Sequence, residues 1–212
     1  MYDCENCDLS EECSLAPDFA SCLKEEEASY IAEVRSILGG SIFFSADHHF
    51  GHENIIKHCS RPYSDAFDMG EDYIRRWNSR VTDHDIVYYL GDFSWFRDIQ
   101  YLLSRLFFKQ MYFMQGNHDD KRAARDIHTI DSRVVRIEAS IYDLNIGLSC
   151  PIVLCHYPIA DWPRRYHGAI HLHGHSHGTA SRMKNRLDIG VDNFPDLITL
   201  EEVLADTKKG MS

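Results

Sequence analysis

Five short, largely apolar runs constrain this chain most, because each ends in residues that can hold a metal or carry a proton. The run 41–46 leads into Asp47-His48-His49, and the run 86–90 into Gly91-Asp92. The run 111–115 leads into Gly116-Asn117-His118-Asp119, and 152–155 into His156. The run 169–173 closes on His173-Gly174-His175-Ser176-His177. Runs of this length, bounded by turn residues, read as buried strands. Helical patterns alternate with them in the first half. Tyr30, Ile31, Val34, Ile37 and Leu38 form a stripe over 24–38, and residues 53–60 form a short helix broken by Arg61-Pro62. Met69, Tyr73, Ile74, Trp77 and Val81 share a face after Asp65. Ile99, Leu102, Leu103 and Leu106 follow helical spacing, and 121–130 reads as a polar helix. In the second half, 134–137, 141–144, 152–155, 169–173 and 187–191 are strand-like with no long helix between them, before a strand at 197–199 and a helix at 200–204. That order predicts an α/β fold, a two-layer β-sandwich flanked by helices. Residues 1–40 read as a cysteine-rich extension plus helix, and 41–212 as the main domain.

Loops that leave the C-terminal ends of parallel strands gather on one sheet edge. Five such clusters on one edge converge on one pocket. Asp47 and His49 are two apart, as are His175 and His177. In extended chain each pair points to one side, so each can serve one metal or two adjacent ones. A lone Gly-Asp is ordinarily a turn, and a lone histidine after a strand is ordinarily a hydrogen-bonded residue. Five coincident strand ends do not fit that plain reading, and thirteen histidines put metal chemistry first. The net charge of −11 disfavours non-specific binding to a nucleic-acid backbone. No apolar run approaches the length of a membrane span, and the acidic N-terminus lacks the features of a signal peptide. The expected location is cytoplasmic, with no membrane partner.

Asp47-x-His49, Gly91-Asp92, Gly116-Asn117-His118-Asp119, His156 and Gly174-His175-x-His177 resemble, in order, the five motifs of the calcineurin-like metallophosphoesterase family. The resemblance covers roughly residues 41–200. It implies a β-sandwich flanked by helices with two divalent metal ions. Asp47, His49 and His177 would hold one metal, and Asn117, His156 and His175 the other. Asp92 would bridge them, and His118 would protonate the leaving oxygen. Two divalent cations outweigh the two aspartates and a bridging hydroxide, so the site would attract phosphate despite the acidic chain. Mixed Asp, Asn and His ligation suits Mn, Fe, Zn or Ni. His48 lies off the motif positions and reads as a supporting or surface residue.

Phe50-Gly51-His52-Glu53-Asn54, Arg61-Pro62 and His156-Tyr157-Pro158 are similar to a subgroup of small bacterial and phage phosphoesterases. In that reading Arg61 contacts substrate phosphate, and His52 and Asn54 line the pocket. The plainer alternatives are a surface arginine and a helix-capping asparagine. Many relatives carry Gly-Asp-x-x-Asp, whose second Asp orients the catalytic histidine in some of them; here Trp95 stands there. Asp119 is the candidate orienter that remains. Trp95 and Phe96 read either as a wall beside the site or as core aromatics.

Cys4, Cys7, Cys13 and Cys22 supply four thiols to a segment without an apolar core. The reading taken is a structural zinc; an iron–sulfur cluster and free thiols are the alternatives. Cys59, Cys150 and Cys155 read as small buried hydrophobes. The expected function is two-metal hydrolysis of a phosphodiester or nucleotide-type phosphate ester. The alternatives are a phosphomonoesterase, a dinucleoside polyphosphate hydrolase, or a non-catalytic scaffold on the same fold.

Overall fold

The structure, a computed structural model, describes residues 28–95, 99–148 and 151–209. The cysteines Cys4, Cys7, Cys13, Cys22 and Cys150, and Phe96, lie outside the described residues. Residues 28–38 form α1, which ends at Gly39 with φ +74°, a left-handed value that glycine adopts without cost. The succeeding elements are β1 (Ile42–Ser45), α2 (Glu53–His58), α3 (Ala66–Arg80), β2 (Ile86–Tyr89), α4 (Ile99–Arg105), β3 (Gln110–Met114), α5 (Lys121–Ile130) and β4 (Val134–Ile137). After them come β5 (Tyr142–Leu144), β6 (Ile152–Leu154), β7 (Ile170–His173), β8 (Arg186–Asp188), β9 (Ile198–Thr199) and α6 (Leu200–Lys209). No helix among the described residues is long and apolar enough to cross a membrane.

The first sheet has the order β4-β3-β2-β1-β9. Its first four strands are parallel, since helices carry the chain back between them, and β9 joins antiparallel. The second sheet has the order β5-β6-β7-β8, with β6, β7 and β8 parallel. Alternation along the strands divides the core. Phe43, Val87, Tyr89, Met111 and Phe113 pack with Met69, Trp77, Leu103 and Ile127 of the helices. Ile42, Phe44, Tyr88, Leu90 and Met114 pack instead with Leu144, Ile152, Leu154, Ile170 and Leu172 of the second sheet. The chain is therefore α/β, with two sheets sharing one core and helices flanking them.

One expected strand is divided between the sheets. The run 187–191 contributes β8 to the second sheet and then pairs Gly190 with Ala46 beside the first. Ile189 N–H donates to His173 O and Val191 N–H to Ala46 O. This crossing links the exits of β1 and β7. The closing helix runs to Lys209 rather than to Leu204.

Asp85 ties the opposite ends of β1 and β2. Its carboxylate accepts from the N–H of Ser41 at 2.6 Å and from the N–H and hydroxyl of Thr82 at 2.7 Å each. Asp85→Ala leaves a buried donor at Ser41, which costs about 1–3 kcal/mol. Urea unfolding is expected to show that loss with an unchanged m-value. A shift in stability of under about 0.5 kcal/mol would remove Asp85 from this role.

Candidate metal centre

Each expected metal ligand leaves the C-terminal end of a parallel strand. Asp47 and His49 follow β1, Asp92 follows β2, Asn117 follows β3, His156 follows β6, and His175 and His177 follow β7. Asp47, His49 and His177 form one group whose ligand atoms all lie within 4.8 Å of one another. Asp92, His156 and His175 form a second group within the same limit. Asn117 joins the second group, with Oδ1 2.9 Å from His156 Nε2 and 2.8 Å from His175 Nδ1. Asp92 Oδ2 lies 3.5 Å from His49 Nε2 and 3.5 Å from His156 Nε2, one residue of each group.

The backbone is strained where these side chains are aimed. Asp47, His49, Asp92, His175 and His177 all have φ between 46° and 66°. Such left-handed non-glycine residues cost about 1–3 kcal/mol each and cluster at functional sites. Asp47 and His49 share a side, but not through the extended chain expected from their spacing. The actual cause is this left-handed backbone, held by Asp47 N–H on Gly91 O and His49 N–H on Asp92 O, both at 3.0 Å. It also sends His175 and His177 to different groups. The role of Gly116 is close approach: a Cβ there would lie 2.2 Å from Asp92 Oδ1.

The donor set is rich in lone pairs. Asp47 Oδ1, His49 Nε2 and Asp92 Oδ2 are buried with no hydrogen-bond partner among the described residues. His156 Nδ1 lies 2.7 Å from Leu90 O, which requires a proton on Nδ1 and leaves Nε2 as the ring nitrogen that can meet a metal. Nε2 faces Asn117 Oδ1 at 2.9 Å and Asp92 Oδ2 at 3.5 Å; burial pulls the ring's pKa down, but Asp92 and Asp47 raise it on balance, so this cluster of oxygens favours a positive charge, as a proton or a metal cation. His177 Nδ1 similarly engages Asp192 Oδ2 at 2.7 Å. Burial pushes the His49 ring down to about 3, so it is neutral and competent to ligate. Burial pushes the Asp47 carboxyl up to about 7, against the pull of His156 and His177. Burial acts upward on Asp92 too, but the His156 ring, the His118 N–H and His49 hold it at about 2. These residues fit two divalent cations.

A second layer corrects two expectations. Arg61 does not face the pocket: it is buried, with Nε and NH2 on the two oxygens of Asp192 at 2.8 and 2.7 Å. NH2 also donates to Asp47 O at 2.8 Å and NH1 to His48 O at 3.0 Å. With its donors committed, Arg61 holds the β1 exit and, through Asp192, the ring of His177. Asp119 does not orient His118. Its buried carboxylate accepts the N–H groups of Asp92, Phe93 and Gly116, each at 2.8 Å, and clamps the β2 and β3 exits together. His48 is buried rather than at the surface, and its ring engages Tyr89 Oη at 2.9 Å.

Asp192 escaped the sequence reading, although it follows the apolar run 187–191 as Asp47 follows 41–46. Asp188 escaped it too, and accepts from Ser176 Oγ at 2.6 Å and Gly178 N–H at 2.9 Å, shaping the loop that carries His175 and His177. Cys59 is half-buried within reach of His177 and Asp192, but burial pushes its thiol up to about 11 and keeps it protonated. Cys155 is buried, as read.

His118 is exposed at the mouth, and its backbone N–H donates to Asp92 Oδ1 at 2.8 Å. Its ring lies 5.4 Å from His49, 6.0 Å from Trp95 and 6.2 Å from His52, centroid to centroid. Trp95 is 54% exposed and stacks on His52 at 4.5 Å, so it is a wall of the mouth and not a core residue. Asn54 stands exposed on the first turn of α2, outside this ring cluster; His52, not Asn54, is the N-cap residue. Tyr157, also missed, borders the second group with its ring 4.7 Å from His175.

Removing Arg61 takes from the largely buried Asp192 carboxylate its guanidinium partner and leaves it the His177 ring. Arg61→Met is expected to cost about 3–5 kcal/mol by thermal or urea unfolding, as for other broken buried pairs. Arg61→Lys restores the charge without the paired geometry and is expected to fall between the two. Wild-type stability in Arg61→Met would contradict the bracing role.

No protein-family model matches the chain. The gene 66 protein of Mycobacterium phage D29 is 25% identical over 194 residues, covering 77% of this chain and 94% of the phage protein. A crystal structure of the protein of unknown function AQ665 from Aquifex aeolicus matches in fold with TM-score 0.57 at 20% identity, over 78% of this chain and 98% of AQ665. The uncharacterized protein MJ1445 of Methanocaldococcus jannaschii is 32% identical over 143 residues, covering 64% of this chain and 69% of MJ1445. At that identity and coverage, the chain belongs to the family of MJ1445.

Proposed function

We propose that the chain is a two-metal phosphoesterase of the calcineurin-like metallophosphoesterase type, acting on phosphodiester or nucleotide-type phosphate esters. The observation that carries this reading is Asp92 Oδ2. It is buried, without a hydrogen-bond partner among the described residues, and equally distant from a histidine of each group. That placement suits a carboxylate shared by two cations. Two sheets with their parallel strand exits at one site agree with the sandwich the motif resemblance implies.

Asp47, His49, Asp92 and His177 would hold one cation, and Asp92, Asn117, His156 and His175 the other. When bound, the cations supply Lewis acidity toward phosphate oxygens and lower the pKa of water. The chain's own residues do the rest. Arg61 and Asp192 keep His177 in place, and Asp119 keeps Asp92 and Gly116 in register. His118, exposed beside His49, donates a proton from its ring to the departing ester oxygen. Trp95 and His52 flank that ring and limit its orientations in place of a carboxylate. Exposed Trp95 borders the His49 side of the site and exposed Tyr157 the His175 side. Aromatic rings on both sides suit a phosphorus atom that carries a group on each, and such rings stack on nucleobases without sequence preference.

Hydrolysis of bis-p-nitrophenyl phosphate and p-nitrophenyl phosphate with added Mn tests the reading. Turnover that disappears with chelator and returns with metal is expected. No turnover of either ester with Mn, Fe, Zn or Ni would point to a scaffold instead. His118→Ala is expected to retain its metal content by elemental analysis while kcat falls by about 10²–10⁴. Full activity in that variant, with metals bound, would remove His118 from the chemistry.

A further inference from the structure

Arg61 was the arginine expected to meet the substrate, and it is committed inside the protein. Arg136 is differently placed. It lies near the end of β4, paired in register with Phe113 of β3, at the sheet edge that also carries Gly116 and Asn117. Arg136 is among the residues lining a cavity of about 220 Å³ whose wall includes Gly116 and His156 of the candidate metal centre and Tyr157. Gln115, Ser140 and the acidic Glu138 are further polar residues of the lining. The Tyr157 ring contacts both His156 and His175, at 5.0 and 4.7 Å, so the cavity and the second ligand group share a wall.

The guanidinium is under-used. Arg136 Nε is buried and has no hydrogen-bond partner among the described residues. NH1 pairs with Glu138 at 3.2 Å, but that carboxylate is 74% exposed. An exposed ion pair of this kind contributes little and is readily exchanged for a ligand anion. The volume is below the roughly 300–1,000 Å³ of pockets for drug-sized ligands, so the cavity admits a small group and not a nucleoside. Guanidinium, amide and hydroxyl donors together select a planar or tetrahedral oxyanion.

We infer that this cavity binds a second anionic group of the substrate, joined to the scissile phosphate ester by a short linker, and that Arg136 recognises it. The inference rests on the phosphoesterase reading and narrows it: the substrate carries a carboxylate or a further phosphate beside the phosphate that is cleaved. Glu138 occupies Arg136 when that anion is missing and yields it when the anion arrives.

Three esters on one two-carbon skeleton test this with the metal-loaded full chain: 2-hydroxyethyl phosphate, phosphoglycolate, and ethane-1,2-diol bisphosphate. In kcat/KM, at least one of the two anionic esters is expected to exceed 2-hydroxyethyl phosphate by tenfold or more. Which one does so tells carboxylate from phosphate. Arg136→Gln is expected to bring the ratio to within about twofold of unity, chiefly through KM, and Arg136→Lys to retain a clear part of it. Circular dichroism and metal content of both variants guard against misfolding. A wild type without preference, or a preference that Arg136→Gln leaves intact, overturns the inference. If no ester is turned over, calorimetric titration with the same three compounds decides. A preference that depends on Arg136 then keeps the anion site and no such preference overturns it, while the hydrolase reading stands or falls with the bis-p-nitrophenyl phosphate assay.

Discussion

The carboxylate of Asp92 is pinned on one side and bare on the other, and the arrangement of the site follows from that asymmetry. Oδ1 accepts the His118 N–H. Oδ2 is buried without a partner among the described residues, 3.5 Å from a histidine of each ligand group. A buried acceptor in that state is costly unless a cation meets it. Gly116 must be glycine because a side chain would occupy the space of Oδ1. Asp119 must hold the Asp92 and Phe93 amides because the left-handed backbone at Asp92 does not hold itself. Asp47 repeats the pattern, with Oδ2 accepting the His175 N–H and Oδ1 without a partner among the described residues.

Two reservoirs oppose this strain. One is the pair of apolar cores on either side of the first sheet, which make the strand exits stiff. The other is the buried polar frame of Arg61, Asp192, Asp119 and Asp85. Arg61, Asp119 and Asp85 bond backbone groups at strand ends, and Asp192 bonds Arg61 and the ring of the candidate ligand His177. Such frames set geometry more than they add stability, because desolvating the charges offsets most of their attraction. The centre is therefore rigid before any ligand arrives, which is what electrostatic stabilisation of a reaction requires. Its rim is different. His118, Trp95 and Tyr157 are exposed, and they are the residues that would meet a substrate.

Much of this was legible in order along the chain. A buried strand writes itself as a short apolar run, and a parallel strand must end where the next loop begins. The run-then-ligand pattern at Asp47, Asp92, Asn117, His156 and His175 could thus be read with no knowledge of the pairing. The same rule applied to 187–191 would have found Asp192. Arg61 was misread because its chemistry is equally suited to a phosphate and to a buried carboxylate, and only its 2% side-chain exposure separates the two. Asp119 is only a candidate orienter in the sequence, because adjacency to His118 does not tell which way its carboxylate turns, and it turns inward to three amides. Trp95 could not be placed from sequence, since an aromatic after a strand is core or rim according to the path of the loop.

The sequence alone determined the succession of strands and helices, the residues that face one sheet edge, and the grouping of ligands implied by the motif resemblance. Those depend on local periodicity and on side-chain chemistry, both of which are written residue by residue. Tertiary structure decided the rest: the left-handed backbone that aims five candidate ligands, the crossing of 189–191 between sheets, the burial of Arg61 against Asp192, and the cavity beside Arg136. Each of these depends on groups far apart in the chain coming within hydrogen-bonding or van der Waals distance. No local pattern carries that information, because the same residue is equally at home in water or in the core until its partners arrive.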